Sequence, residues 1–245
     1  MSNDTPKGHL IAMGGGGFAM EPENPLLDDY ILSLADKPNP RICLVPTASA
    51  DSPTLLVHYY RAFSGRAIAS DLTIFPPSGI PRRPDRTEEF AAFVAEQDIL
   101  YVSGGNTLNL LAIWRAHGLD KVLHDAWMDG KVICGMSAGM LCWFQGGVTD
   151  SLGSLDGIHD GLGWITASAC PHYDGEPGRR ELYHQLIRDG LPGGFAADDG
   201  AALHFQGGEG ELLHAVSSRP QARAYRVDCV DGSVEETPLE TRYLG

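Results

Sequence analysis

Gly135-Met136-Ser137-Ala138-Gly139 sets a serine between two glycines, directly after the apolar run Val132-Ile133-Cys134 and before Met140-Leu141-Cys142-Trp143-Phe144. A strand, a sharp turn and a helix in that order form a nucleophile elbow, which lifts a serine hydroxyl out of the sheet on a strained backbone. The helix predicted from Ala138 aims its free N–H groups at Ser137, so the Ala138 N–H would serve an oxyanion forming there. A second donor is expected from Gly105 in Ser103-Gly104-Gly105-Asn106-Thr107, because consecutive glycines let backbone N–H groups turn inward. Asn106 of the same loop is expected to contact a substrate.

A serine hydroxyl is a weak nucleophile at neutral pH and needs a base within hydrogen-bond reach, most often a histidine. Nine histidines compete for that role. His172, in Cys170-Pro171-His172-Tyr173, follows a strand-like run and should leave the sheet at the same edge as Ser137. His9 precedes the first strand, His58, His117, His124 and His184 sit in helix-like segments, and His204 and His214 lie in C-terminal strands with structural roles. Three carboxylates are candidates to orient the imidazole: Asp199 in Ala196-Ala197-Asp198-Asp199-Gly200, Asp150 in Val148-Thr149-Asp150-Ser151, and Asp174, two residues beyond His172. His-Glu-x-x-His, clustered Cys/His and Walker patterns are all missing from the sequence, so neither a cofactor nor a catalytic metal is expected. Gly14-Gly15-Gly16-Gly17 reads instead as a bend that lets backbones crowd around the site.

Such loops need strands that end at a common edge. Apolar runs at residues 9–13, 41–45, 72–75, 98–102, 132–134 and 166–170 alternate with helical patterns, the first at about 25–35. That alternation predicts an α/β fold: a doubly wound, mostly parallel sheet flanked by helices, in which ligands bind at the carboxyl ends of the strands. Segments 201–205, 212–216 and 222–230 predict C-terminal antiparallel strands added to the same sheet. With no linker or internal repeat, residues 1–245 are expected to form a single domain.

A formal net charge of −14 argues against broad attraction to nucleic acid or anionic membranes. No apolar stretch is long enough to cross a bilayer, and the N-terminal Met1-Ser2-Asn3-Asp4-Thr5-Pro6-Lys7 lacks the blocks of a signal peptide, so a cytoplasmic location is expected. The five cysteines lack metal or redox spacing and are expected to be buried free thiols. An exposed sheet edge or an apolar helix face would allow a homodimer.

Taken together, the glycine-rich first loop, Val45-Pro46-Thr47-Ala48-Ser49, Gly104-Gly105-Asn106-Thr107, Gly135-Met136-Ser137-Ala138-Gly139 and Pro171-His172-Tyr173 resemble the peptidase E and cyanophycinase family of serine peptidases. The resemblance runs from Gly14 to about Phe205 and implies a fold similar to class I glutamine amidotransferases. It implies Ser137 as nucleophile, His172 as base, and Gly105 and Ala138 as oxyanion donors. For the acid, Asp198-Asp199-Gly200-Ala201-Ala202-Leu203 resembles a cyanophycinase segment and points to Asp199, whereas a peptidase E-like acid downstream of the elbow corresponds to Asp150. Peptidase E cleaves dipeptides that begin with Asp, and the basic residue expected after Pro-His-Tyr falls at Arg179 or Arg180, either of which would pair with a substrate carboxylate. The expected activity is therefore serine-type hydrolysis of small peptides, including Asp-X dipeptides. The alternatives are a cyanophycinase-like amidase or esterase, or a catalytically silent binding protein.

Overall fold

The computed structural model describes residues 8–75, 87–207 and 211–245. Residues 1–7, on which the reading of the N-terminus rests, lie outside them.

The chain opens with β1 (His9–Met13), α1 (Gly17–Met20), α2 (Leu26–Ser33), β2 (Arg41–Val45), α3 (Pro53–Phe63) and β3 (Ile68–Asp71). It continues through α4 (Thr87–Ala95), β4 (Ile99–Val102), α5 (Thr107–His117), α6 (Leu119–Met128), β5 (Val132–Met136) and α7 (Ala138–Leu141). Then come β6 (Phe144–Thr149), β7 (Asp156–Ile158), β8 (Ile165–Cys170), α8 (Arg179–Arg188), β9 (Gly194–Ala197) and β10 (Ala201–Gln206). β11 (Glu211–Ser217), β12 (Ala224–Val230), β13 (Ser233–Pro238) and β14 (Thr241–Tyr243) close the order.

The main sheet runs β14-β11-β10-β1-β5-β4-β2-β3 and is parallel from β1 to β3. Its central strands are largely apolar because both faces are covered. Alternate residues divide between the layers: Ile11, Met13, Leu44, Tyr101 and Cys134 pack with Phe18, Leu27, Ile31, Tyr59 and Phe63 from α1, α2 and α3. Leu10, Ala12, Val45, Leu100 and Ile133 face Phe90, Trp114, Leu123 and Trp127 from α4, α5 and α6, together with residues of a second sheet.

That second sheet, β13-β12-β9-β8-β6-β7, departs from the sequence expectation of one sheet. Segment 222–230 joins it as β12 instead of extending the main sheet, whereas β10 does add antiparallel to β1, and β11 antiparallel to β10. The helix expected after the elbow stops at Leu141, and Phe144 already begins β6. Gly146-Gly147 disfavours helix, and β6 pairs instead with β7 and β8. The strand expected at 72–75 lies at Ile68–Asp71, whose mixed, half-exposed side chains suit a sheet edge. Beyond it, the N–H groups of Ile74 and Phe75 donate to Asp51 Oδ2 at 2.5 and 2.6 Å, which holds that segment as a loop. Four cysteines are buried, and Cys229 is exposed.

Candidate active site

Ser137 joins β5 to α7 with φ 56° and ψ −113°, on the left-handed side where a residue with a Cβ is strained. Its N–H donates to the Met13 carbonyl at 3.1 Å, and its own carbonyl accepts from Met140 and Leu141, both at 2.9 Å. These bonds hold the turn that presents the hydroxyl. His172 follows β8 with φ 52°, also in the left-handed region. Its N–H donates to the Gly14 carbonyl at 3.2 Å. Two consecutive carbonyls at the end of β1 thus fix the backbones of Ser137 and His172.

Asp199 enters from the loop between β9 and β10. Its Oδ1 stands 2.6 Å from His172 Nδ1, and the two side chains are only 15% and 17% exposed. The hydrogen bond from His172 holds the Asp199 carboxyl below the usual carboxylate range against the opposing effect of burial. The charges of His172, Arg219 and Arg179 act in the same direction. With Nδ1–H given to Asp199, Nε2 carries the lone pair of the neutral ring. No hydrogen bond joins Ser137 Oγ to that ring in this structure, and catalytic bonds of this kind commonly tighten only around a substrate.

The tetraglycine is what makes room for the pair. A Cβ on Gly15 would lie 2.1 Å from Asp199 Oδ1 and 3.0 Å from His172 Nδ1. A Cβ on Gly104 would come within 3.2 Å of Ser137 Cβ, which places the Gly104-Gly105 loop against the serine. Gly105 itself has φ 138° and abuts the Ala48 carbonyl. Neither Gly105 nor Ala138 gives its N–H to a carbonyl among the turn and loop hydrogen bonds, so both donors are available near Ser137.

The other expected site residues are engaged elsewhere. Asn106 caps α5, accepting from Asn109 N–H at 2.9 Å while its Nδ2 donates to the Ser151 carbonyl at 2.8 Å. Asp150 is exposed in the turn after β6, and its side chain makes no bond to His172; the structure brings Asp199, not Asp150, to the imidazole. Arg179 is 2% exposed and gives Nε and Nη2 to Glu176 at 3.0 and 2.7 Å. Arg180 pairs with Glu236 and lies over the rings of Tyr173 and Tyr225, 5.1 and 5.8 Å from their centroids. A guanidinium free for a substrate carboxylate, as the sequence led us to expect, is therefore not found at either position. Asp174 bonds the backbone: its Oδ1 accepts from the Asp199 N–H at 2.8 Å.

Sequence reasoning missed a brace behind Asp199. Arg219 Nε donates to Glu21 Oε1 at 2.5 Å and Ser218 Oγ to Glu21 Oε2 at 2.7 Å. The residues lie nearly two hundred positions apart, and only the closeness of Glu21 to the tetraglycine hinted at a part in the site. Among the described residues, no group of three or more His, Cys, Asp or Glu is arranged to hold a metal ion.

A strained serine between a strand and a helix at the carboxyl edge of a parallel sheet, with a His–Asp pair tied to the same strand end, fits a serine peptidase scaffold of the α/β class. The chain belongs to peptidase family S51, whose model matches residues 10–213. It is 48% identical over 238 residues to the uncharacterized peptidase YgaJ of Bacillus subtilis (strain 168), covering 96% of this chain and 99% of that protein. Its fold is similar to the crystal structure of a peptidase from an acI-B1 Actinobacterium, with a TM-score of 0.70 at 18% identity over 95% and 94% of the two chains. It is also similar to a "Putative Peptidase E Protein" from Listeria monocytogenes EGD-e, with a TM-score of 0.60 at 19% identity over 84% and 96%. The protein is thus a peptidase, and among its described residues no helix is long and apolar enough to cross a membrane.

Proposed function

We propose that this peptidase hydrolyses small peptides through an acyl-enzyme formed on Ser137. The observation that carries the reading is the 2.6 Å contact of His172 Nδ1 with Asp199 Oδ1 beside an elbow serine whose backbone is tied to the same strand end as that of His172. Ser137 Oγ attacks the scissile carbonyl while His172 Nε2 takes its proton and then returns it to the leaving amine; water reverses the sequence to free the acid. Asp199 keeps the ring in the required tautomer and stabilises the imidazolium. The N–H groups of Gly105 and Ala138 bind the tetrahedral oxyanion, each contributing about 3 kcal/mol to the transition state. As part of the same proposal, the peptidase acts in the cytoplasm.

Asp-X dipeptides are the first substrates to test, in keeping with the resemblance to peptidase E. Arg180 is the reachable guanidinium, half-exposed, and a substrate carboxylate would have to displace Glu236 from it. That engagement favours a second reading, a hydrolase of small amides or esters without Asp preference. Intact-mass labelling with a fluorophosphonate decides the mechanism. Native protein should gain one adduct, and Ser137→Ala and His172→Ala should gain none; unlabelled, folded native protein would sink the proposal. Turnover of Asp-X dipeptides, Asn-X dipeptides, β-aspartyl peptides and simple esters, assayed alongside, separates the two readings.

A further inference from the structure

The loop after β8 grips Asp199 at two points. His172 takes its side chain, and Asp174, two residues on, takes its backbone N–H at 2.8 Å. Three successive peptide N–H groups set the path of the acid's loop, and each has an acceptor on a different segment. Asp198 N–H donates to the Arg223 carbonyl at 3.0 Å, Asp199 N–H to Asp174 Oδ1, and Gly200 N–H to the Gly15 carbonyl at 3.1 Å. Only the middle link, the one at the catalytic acid itself, is made by a side chain.

The same loop is closed on itself. Gly175 N–H donates to the His172 carbonyl at 3.1 Å, and Tyr173 N–H ties the loop to β9 by donating to the Ala197 carbonyl at 3.1 Å. A Cβ on Gly175 would lie 2.9 Å from Asp199 Oδ2, so the turn carrying Asp174 lies directly over the carboxylate. We propose that Asp174 is a positioning residue for this peptidase: by holding the Asp199 peptide, it fixes the direction of the Asp199 side chain against the strained His172. The assignment rests on the triad proposed above. Its basis is geometric, because hydrogen-bonded catalytic groups tolerate only about 0.5 Å of drift before the rate falls. The carboxylate of Asp174 is exposed, so neutralising it relieves no buried charge, and what matters is the acceptor oxygen.

Asp174→Asn keeps an acceptor oxygen without the charge, and Asp174→Ala removes both. The second-order rate constant of fluorophosphonate labelling at Ser137 reads activation of the nucleophile with no need for a known substrate. Asp174→Ala should label about tenfold to a hundredfold more slowly than native protein, with an unchanged thermal midpoint, while Asp174→Asn stays within about threefold. On any dipeptide that the native protein cleaves, the loss should fall on kcat and leave KM in place. Native-like labelling of Asp174→Ala would overturn the assignment and leave the triad standing. Equal slowing of both variants would also overturn it, since charge and not the acceptor would then matter. Native protein that fails to label removes the triad and this assignment together.

Discussion

Two histidines, His172 and His204, meet opposite surroundings in one sheet system. His172 sits at a strand end with a left-handed backbone and a carboxylate 2.6 Å from its ring. His204 lies within β10, 2% exposed, in a relay of neutral partners. His9 Nδ1 is 2.8 Å from His204 Nε2, Tyr30 Oη is 2.5 Å from His204 Nδ1, and the same Oη is 2.7 Å from His214 Nε2. One proton per link satisfies that relay when all three rings are neutral: Tyr30 accepts from one ring and donates to the other. Burial first, and then the nearness of His9 and His214, pushes His204 down to about 3. A carboxylate partner at a reachable edge makes a histidine a base; enclosure among neutral partners makes the same side chain a joint between β1, β10, β11 and α2. The first region should therefore govern rate and the second stability.

Asp199→Asn is the sharpest way to break that division, with the largest expected effect. The amide offers His172 Nδ1 the wrong hydrogen-bond choice and stabilises no imidazolium, so kcat and the labelling rate should fall about 10³- to 10⁴-fold. The thermal midpoint should stay near native, because the pair is small and lies at the edge of the core. Asp150→Asn, measured in parallel, should leave the rate within about twofold. The reverse ranking of the two variants would move the acid to the turn after β6 and discard the geometric assignment.

The ranking matters because the sequence alone left Asp199, Asp150 and Asp174 as rivals. Ser137 and His172 could be proposed from the sequence because each chemistry demands a local form: glycines around a serine after a strand, and a histidine just past a strand end. A carboxylate needs no local form, and its role is set by what the fold brings opposite it. The same limit hid the pairing of Arg179 with Glu176 and of Arg219 with Glu21, where the partner decides whether a guanidinium is free. In the fold, the fully buried parallel strands announced themselves as apolar runs, but the edge strand β3 reads Ile68-Ala69-Ser70-Asp71 and gave no such signal. The second sheet was obscured for a related reason. Its strands β6 and β9 carry glycines that allow close pairing but weaken any strand pattern.

The histidine relay predicts a pH dependence whose sign is opposite to that of two buried carboxyls. His204 is neutral in the folded protein and would take up a proton near pH 6.5 once unfolded, so its contribution to stability is complete above that pH. It drains away as the pH falls from 6.5 towards 3, by about 2 kcal/mol at pH 5. Asp28, pushed up to about 7 by burial, and Asp198, pushed up to about 6 by burial, favour the folded state increasingly as the pH falls towards 3.8. The net slope of stability therefore mixes both groups, and the site itself has to be observed. By NMR, the His204 Cε1–H resonance should stay flat from pH 8 to pH 4.5, whereas the histidines of the unfolded chain titrate near 6.5. A native-state midpoint for His204 above pH 6 would erase the contrast with an exposed histidine.

Tyr30→Phe carries the smallest expected effect and tests the division from its stability side. The hydroxyl serves two rings at once, so removing it strands the buried His204 Nδ1, while His214 Nε2 is better placed to find water. Leaving one buried polar atom unpaired costs about 1–2 kcal/mol, which for a chain of this length lowers the thermal midpoint by roughly 2–6 °C. Ser137 should label at the native rate, because the Tyr30 hydroxyl bonds the rings of His204 and His214 and neither His172 nor Asp199. Slowed labelling without a change in midpoint would show that the relay communicates with the catalytic edge, and the two histidine regions would then have to be treated as one coupled system.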